Sequence, residues 1–296
     1  MADHRRFRYW LALPPDSSKP IGGVKQMHRL AEALENLGRE ATLIQGSKDF
    51  HPGWFGSNVA TVSVSKWRTL AGLDPLRDLV IVPETNPAAL LRYAPGLRKI
   101  VFNQNGHYTF LAPGSRQPLN VSDVKSIYQH PSVLHTLCVS SYDHALLTEG
   151  LGVEDDSVTI LPNPVEVDIF TYPSHPKRRQ IAYMPRKNSQ DALIVTGLLK
   201  QQPWLKSWDI IPIDRQPQST VASILQDSLI FLSFGHPEGF GLPVAEAMAS
   251  GCYCIGYTGL GARDLYALAE LTCTAIKVEP ADWMGFLKAV REVVTV

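Results

Sequence analysis

Two glutamates eight residues apart, Glu238 and Glu246, bracket a glycine-rich turn that runs Gly239, Phe240, Gly241, Leu242, Pro243. The apolar run Leu229–Ser233 leads into this turn, and Leu242–Ala249 reads as the helix that leaves it. Pro243 falls in the first turn of that helix, where a missing N–H costs nothing. Gly239 and Gly241 let the backbone come close to a ligand, while the helix start offers unpaired N–H groups and a partial positive charge. That combination suits a diphosphate. A carboxylate on either side suits hydroxyls, which carboxylates bind through charge-assisted hydrogen bonds. An anion cradle flanked by hydroxyl acceptors fits a nucleotide-sugar, with ribose at one end and a hexose at the other. A plainer reading uses the same residues: a glycine turn capping a helix, with two solvated glutamates.

Such a turn needs a sheet to carry it. Short apolar runs alternate with helical spacings along the whole chain, the signature of parallel α/β structure. Strands are expected at Tyr9–Leu13, Ala41–Ile44, Leu79–Val82, Ile100–Phe102 and Leu137–Val139. A helix is expected over Val24–Leu37, stopped by Gly38. After Ile160 the Leu161-Pro162-Asn163-Pro164 stretch marks a boundary, because X-Pro pairs force extended backbone. A second alternation follows, with strands at Ile181–Met184, Ile210–Ile213, Leu229–Ser233, Cys252–Gly256 and Cys273–Ile276. Its helices are expected at Gln190–Lys200, Thr220–Gln226, Leu242–Ala249 and Asp282–Val294. The expected architecture is α/β: two doubly wound, Rossmann-like domains, 1–162 and 163–296, facing a central cleft. In doubly wound sheets ligands sit at the carboxyl ends of strands, which is where the glycine turn falls.

Composition narrows the partners. The 296 residues carry 28 Lys plus Arg and 28 Asp plus Glu. The balance holds in each half, so neither offers the positive excess that nucleic-acid binding needs. No apolar run approaches the roughly 20 residues of a membrane span, and Met1–Arg8 lacks the apolar stretch of a signal peptide. Three arginines in the first eight residues hold an anionic membrane only weakly, so peripheral membrane contact is disfavoured. Four scattered cysteines, Cys138, Cys252, Cys254 and Cys273, point to a reducing, cytoplasmic setting with thiols buried as small apolar groups.

The run Glu238-Gly239-Phe240-Gly241-Leu242-Pro243, with Glu246-Ala247-Met248-Ala249 and Gly251, resembles the E-x7-E motif of retaining GT-B glycosyltransferases. It is most similar to the GT4, or glycosyl transferases group 1, family. The resemblance implies the GT-B fold, with an acceptor-side first domain and a donor-binding second one. It also implies retaining transfer of a sugar from a nucleotide-diphosphate donor to an acceptor hydroxyl of a saccharide, lipid or small molecule.

On the same resemblance, Glu246 holds the ribose hydroxyls and Glu238 the donor sugar, with the amides of Phe240 and Gly241 beside sugar and phosphate and Leu242 next to them. Gly22 and Gly23, between first strand and first helix, resemble the family's double-glycine loop near phosphate and acceptor. His107, on the loop after Ile100–Phe102, corresponds to a histidine that reaches the transferred sugar near its reacting carbon. Glu84 and Asn86 are acceptor-side candidates. Arg186 and Lys187 would neutralise the diphosphate, Arg186 more firmly because its fork matches phosphate oxygens. Gly259-Leu260-Gly261 with Asp264 departs from the glycine pair and carboxylate of family members and reads equally as a strand-to-helix turn.

No Asp-x-Asp triplet occurs in the chain, so neither metal nor other cofactor is expected. The alternatives are a nucleotide-sugar-binding protein without turnover, or a GT-B-like epimerase or phosphorylase. The chain stops at Val296 without the further helix that family members carry, so the second domain is expected to be a shortened or a compact one.

Overall fold

The computed structural model describes residues 7–13, 16–70, 72–84, 94–111 and 115–295. They divide into two compact units, Met1–Pro162 and Asn163–Val296. No helix among the described residues is long and apolar enough to cross a membrane.

The first unit is a seven-stranded parallel sheet. Its strands are β1 (Arg8–Ala12), β2 (Glu40–Gln45), β3 (Thr61–Ser63), β4 (Asp78–Pro83), β5 (Arg98–Asn103), β6 (Val133–Cys138) and β7 (Val158–Ile160). They lie in the order β3-β2-β1-β4-β5-β6-β7. The central strand β4 is buried from Asp78 through Val82, because helices cover both faces of a parallel sheet. Helix α1 (Gly22–Asn36) packs Met27 and Ala31 inward, and α2 (Val64–Arg68) contributes Trp67. Helices α3 (Gly106–Phe110), α4 (Val121–Tyr128) and α5 (Ser141–Ala145) also belong to the described part of the unit.

The second unit is a five-stranded parallel sheet of β8 (Arg178–Tyr183), β9 (Asp209–Pro212), β10 (Ser228–Ser233), β11 (Tyr253–Gly256) and β12 (Ala275–Lys277). Its order is β12-β11-β10-β8-β9. Side-chain alternation sorts the core into two layers. Ile181, Ile230, Leu232 and Ile255 pack with α6 (Ser189–Lys200) and α10 (Trp283–Val294). Ala182, Phe231 and Cys254 pack on the other face with α7 (Gln218–Asp227), α8 (Leu242–Ala249) and α9 (Arg263–Glu270). A sheet with helices on both faces is the doubly wound arrangement.

Each sheet has a point where the strand order reverses, between β1 and β4 in the first unit and between β8 and β10 in the second. Chain segments leaving the two strands diverge there, and that is where doubly wound sheets hold ligands.

Several boundaries move. Gly22 and Gly23 stand in the first turn of α1 rather than in a loop before Val24. Ile21 caps the helix in extended conformation, and its carbonyl accepts the Val24 N–H at 3.0 Å. His107 lies in α3 and not on an open loop, because Asn105 caps a helix there through its side chain. Cys252 precedes β11 instead of opening it. Cys273 is exposed, with a left-handed φ of 52°, and so is neither a buried thiol nor part of β12. The other three cysteines are buried.

Candidate active site

The glycine turn occupies the reversal point of the second unit. Strand β10 ends at Ser233, and residues 234–241 carry the chain to α8. Gly241 caps that helix in the left-handed region, φ 86°. Its carbonyl accepts the N–H groups of Val244 and Ala245. Pro243 has no N–H, and Leu242, the first helical residue, has no carbonyl behind it within the helix. The partial positive end of α8 therefore opens at Phe240–Leu242.

Neighbouring segments hold this turn from two sides. On one side, the loop after β8 supplies Lys187 and Asn188. Asn188 Nδ2 donates to the carbonyls of Phe234 (2.6 Å) and His236 (3.0 Å). Lys187 Nζ donates to the Pro237 carbonyl at 2.8 Å and lies 3.4 Å from Glu238 Oε1. On the other side, the loop after β11 runs alongside. Glu238 N–H donates to the Gly259 carbonyl at 2.6 Å, and Gly261 N–H donates to the Glu238 carbonyl at 2.9 Å. A Cβ at Gly261 would overlap the Gly239 carbonyl oxygen, so the two turns touch backbone to backbone.

Glu238 is half-buried in the turn, and Glu246 is 8% exposed within α8. Arg186 is exposed, whereas its neighbour Lys187 is half-buried against Glu238. Lys187 is thus joined to the turn, and Arg186 beside it is exposed.

In the first unit, three segments meet around Gln104. Its backbone N–H donates to Glu84 Oε2 at 3.0 Å, and its side-chain Nε2 donates to the Gly23 carbonyl at 3.2 Å. Glu84 is buried to 2% exposure just past β4. Burial, with the Asp143 carboxylate nearby, pushes its carboxyl up to about 7. His107 is exposed on α3, its N–H donating to Asn105 Oδ1 at 3.1 Å. Asn86 lies outside the described residues.

Asn188, Gln104 and Asp143 were not legible in advance, since each acts on backbone far away in sequence. Asn188 is a direct test of the clamp. Asn188→Ala leaves two carbonyls without their donor, and hydrogen bonds of this kind are each worth about 1 kcal/mol. Amide exchange across residues 234–241 should rise by about tenfold or more. Exchange in β9 should stay as it is.

Residues 209–295 match the model of the family Glycosyl transferases group 1. An alpha-1,6-glucosyltransferase of Actinobacillus pleuropneumoniae serotype 7 (strain AP76) is 30% identical over 217 residues, which is 71% of this chain and 59% of that protein. The chain thus spans less than two thirds of that relative's length. Among solved structures, sucrose-phosphate synthase from Thermosynechococcus elongatus aligns with a TM-score of 0.70 at 13% identity, covering 98% of this chain and 90% of that one. Anabaena HepE, solved in complex with UDP, gives 0.68 at 11% identity, again covering 98% and 90%. At such identities the likeness establishes the fold.

Proposed function

We propose that this chain, whose C-terminal unit belongs to the glycosyl transferases group 1 family and whose fold is GT-B, is a retaining, metal-independent glycosyltransferase of the GT4 type. It moves a sugar from a nucleotide-diphosphate donor to an acceptor hydroxyl. The donor binds the second unit and the acceptor the first. One observation carries the reading: the turn that begins at Glu238 sits at the reversal point of its sheet, with the start of α8 and the Lys187–Glu238 pair on it and Glu246 buried in the helix that follows.

In this reading the diphosphate meets the amides of Phe240, Gly241 and Leu242, where hydrogen-bond donors and a helix dipole face developing negative charge. Lys187 and Arg186 add positive charge. Glu246 binds the ribose hydroxyls and Glu238 those of the sugar. The donor diphosphate competes for Lys187, so binding releases Glu238 from its cation and frees an oxygen for a sugar hydroxyl. In the first unit, His107 is the candidate catalytic histidine. Attack comes from the face of the leaving group, and the departing phosphate takes the acceptor proton. Glu238 is a binding group here and forms no covalent adduct.

Thermal denaturation with UDP, GDP and ADP, and with their glucose conjugates, tests the donor site. A nucleotide at a hundred times its Kd adds about 2.7 kcal/mol of stability. Supposing that UDP is the ligand, Glu246→Ala weakens UDP and UDP-glucose alike by about 10–100-fold, the worth of a charged hydrogen-bond partner. Glu238→Ala weakens UDP-glucose and does not weaken UDP, since it also removes the carboxylate that competes for Lys187. Stabilisation by none of the six compounds refutes the donor site. Tight binding with no release of free nucleotide diphosphate, with any acceptor or with water, makes the chain a binding protein. The anomeric configuration of a transferred sugar, read by NMR, tests retention.

A further inference from the structure

Glu84 was expected among the acceptor-side groups, but its surroundings assign it other work. The side chain is 2% exposed, and Oε2 accepts the backbone N–H of Gln104. Gln104 follows β5, the neighbour of β4 in the sheet, and its own side chain reaches the carbonyl of Gly23 in the first turn of α1. Two residues further on, Gly106 N–H donates to Asp143 Oδ1 at 2.9 Å, and Asp143 is 1% exposed. A Cβ at Gly106 would press on Leu146 and on that carboxylate, so the backbone there sits tight against α5 and the turn after it. Asn105 then holds the N–H of His107. Side-chain acceptors from three places in the unit thus take the N–H groups of Gln104, Gly106 and His107.

A buried carboxyl is costly where an apolar side chain would serve, unless its oxygens are used. Here one oxygen is used on the backbone that leads into His107. Among the described residues, Asp143 of α5 and Tyr128 of α4 are titratable groups that interact with Glu84, and neither of them is cationic.

We propose that Glu84 is a positioning residue: through Gln104 it joins the glycine turn of α1 to the segment carrying His107 and sets where both stand. Its effect on catalysis rests on the glycosyltransferase reading, whereas its effect on the loop does not.

Amide hydrogen exchange on the full chain separates the two. Glu84→Ala should raise exchange across residues 103–108 and 22–25 by about tenfold, the worth of one lost hydrogen bond. Glu84→Gln, which keeps an acceptor oxygen at the same reach, should stay within about twofold of the parent chain. Unchanged exchange in Glu84→Ala overturns the proposal, whatever reaction the chain performs. If that variant does not fold, Gln104→Ala cuts the same tie from the other side, and unchanged exchange at 22–25 overturns the proposal equally.

With UDP-glucose as probe, Glu84→Ala should lower kcat by about tenfold and leave the donor KM in place, because misplacement of a reacting group costs rate and not donor binding. A raised KM at constant kcat would make Glu84 a substrate-binding group and overturn the positioning role. Absence of turnover in the parent chain counts against the proposed function alone, and the exchange result still decides this inference.

Discussion

Gly261→Ala should cost the C-terminal unit about 3 kcal/mol or more and, on the proposed function, abolish nucleotide-sugar binding. The added methyl group would occupy the position of the Gly239 carbonyl oxygen and press on the Glu238 carbonyl. Neither is a flexible side chain that could swing away. The Gly239 peptide is held from both directions, because Glu238 bonds to Gly259 and Gly261 as a short bridge of parallel strand. Accommodating the methyl group means parting the two loops and breaking both bonds. It also displaces Glu238 and the amides before α8, so ligand binding falls together with stability. Gly38→Ala is the control. Gly38 has φ 71° with open space around the missing Cβ, so its cost is about 1–2 kcal/mol for the left-handed backbone alone. Urea unfolding, followed by exchange in peptides from β10 and β11, gives the Gly261 cost. Titration with UDP gives the binding loss. A Gly261→Ala chain as stable as Gly38→Ala, with UDP affinity intact, would mean that the loops are not in contact.

The contrast between Gly261 and Glu246 shows what the sequence makes visible. Glu238, Gly239, Gly241 and Glu246 lie on one short stretch, so their spacing already contains the strand end, the turn and the helix start that arrange them. The alternation of apolar runs likewise gave all five strands of the second sheet and five of the seven in the first, because burial on two faces leaves a near-continuous apolar signal, whereas the three-residue edge strands β3 and β7 are too short to show one. Gly261 and Asn188 act on residues 22 and more positions away, through loop contacts that no local periodicity encodes. Their neighbours did offer signs: a glycine pair after a strand, and a cation in the loop after β8. Which way the loop of Arg186 and Lys187 faces depends on Asn188 holding the carbonyls of Phe234 and His236. Short helices were missed for the same reason. The cap of α3 is a single asparagine, and a five-residue helix has too few positions to show a period.

Two buried groups of the first unit should give opposite pH dependences that hide one another in the parent chain. Glu84 has its carboxyl raised from 4.5 to about 7 by burial, followed in size by two opposing backbone hydrogen bonds and then by Asp143. The folded chain keeps that proton after the unfolded chain has lost it. Stability from Glu84 is therefore complete below about 4.5 and is lost as pH rises through about 7. His28 is 2% exposed, with Nδ1 2.9 Å from Ser57 Oγ. Burial first, and His51 second, lower it from 6.5 to about 4. Its contribution has the reverse sign: present above 6.5 and lost as pH falls through about 4. Each shift spans two to three pH units, or roughly 3 kcal/mol. Between about pH 4.5 and 6.5 the two slopes are equal and opposite, so their sum is flat. Glu84→Gln removes the falling slope, and stability minus that of the parent should climb by roughly 3 kcal/mol from pH 4.5 to 7. His28→Asn, which keeps a polar atom toward Ser57, removes the rising slope; its difference curve should fall by a similar amount from pH 4 to 6.5. Lost ring contacts with His51 and Phe55 lower the His28→Asn curve by a constant and do not tilt it. The double variant should again be flat over the shared range. Urea midpoints across this pH range decide the matter, and parallel curves for all four chains would mean that neither group changes its proton affinity on folding.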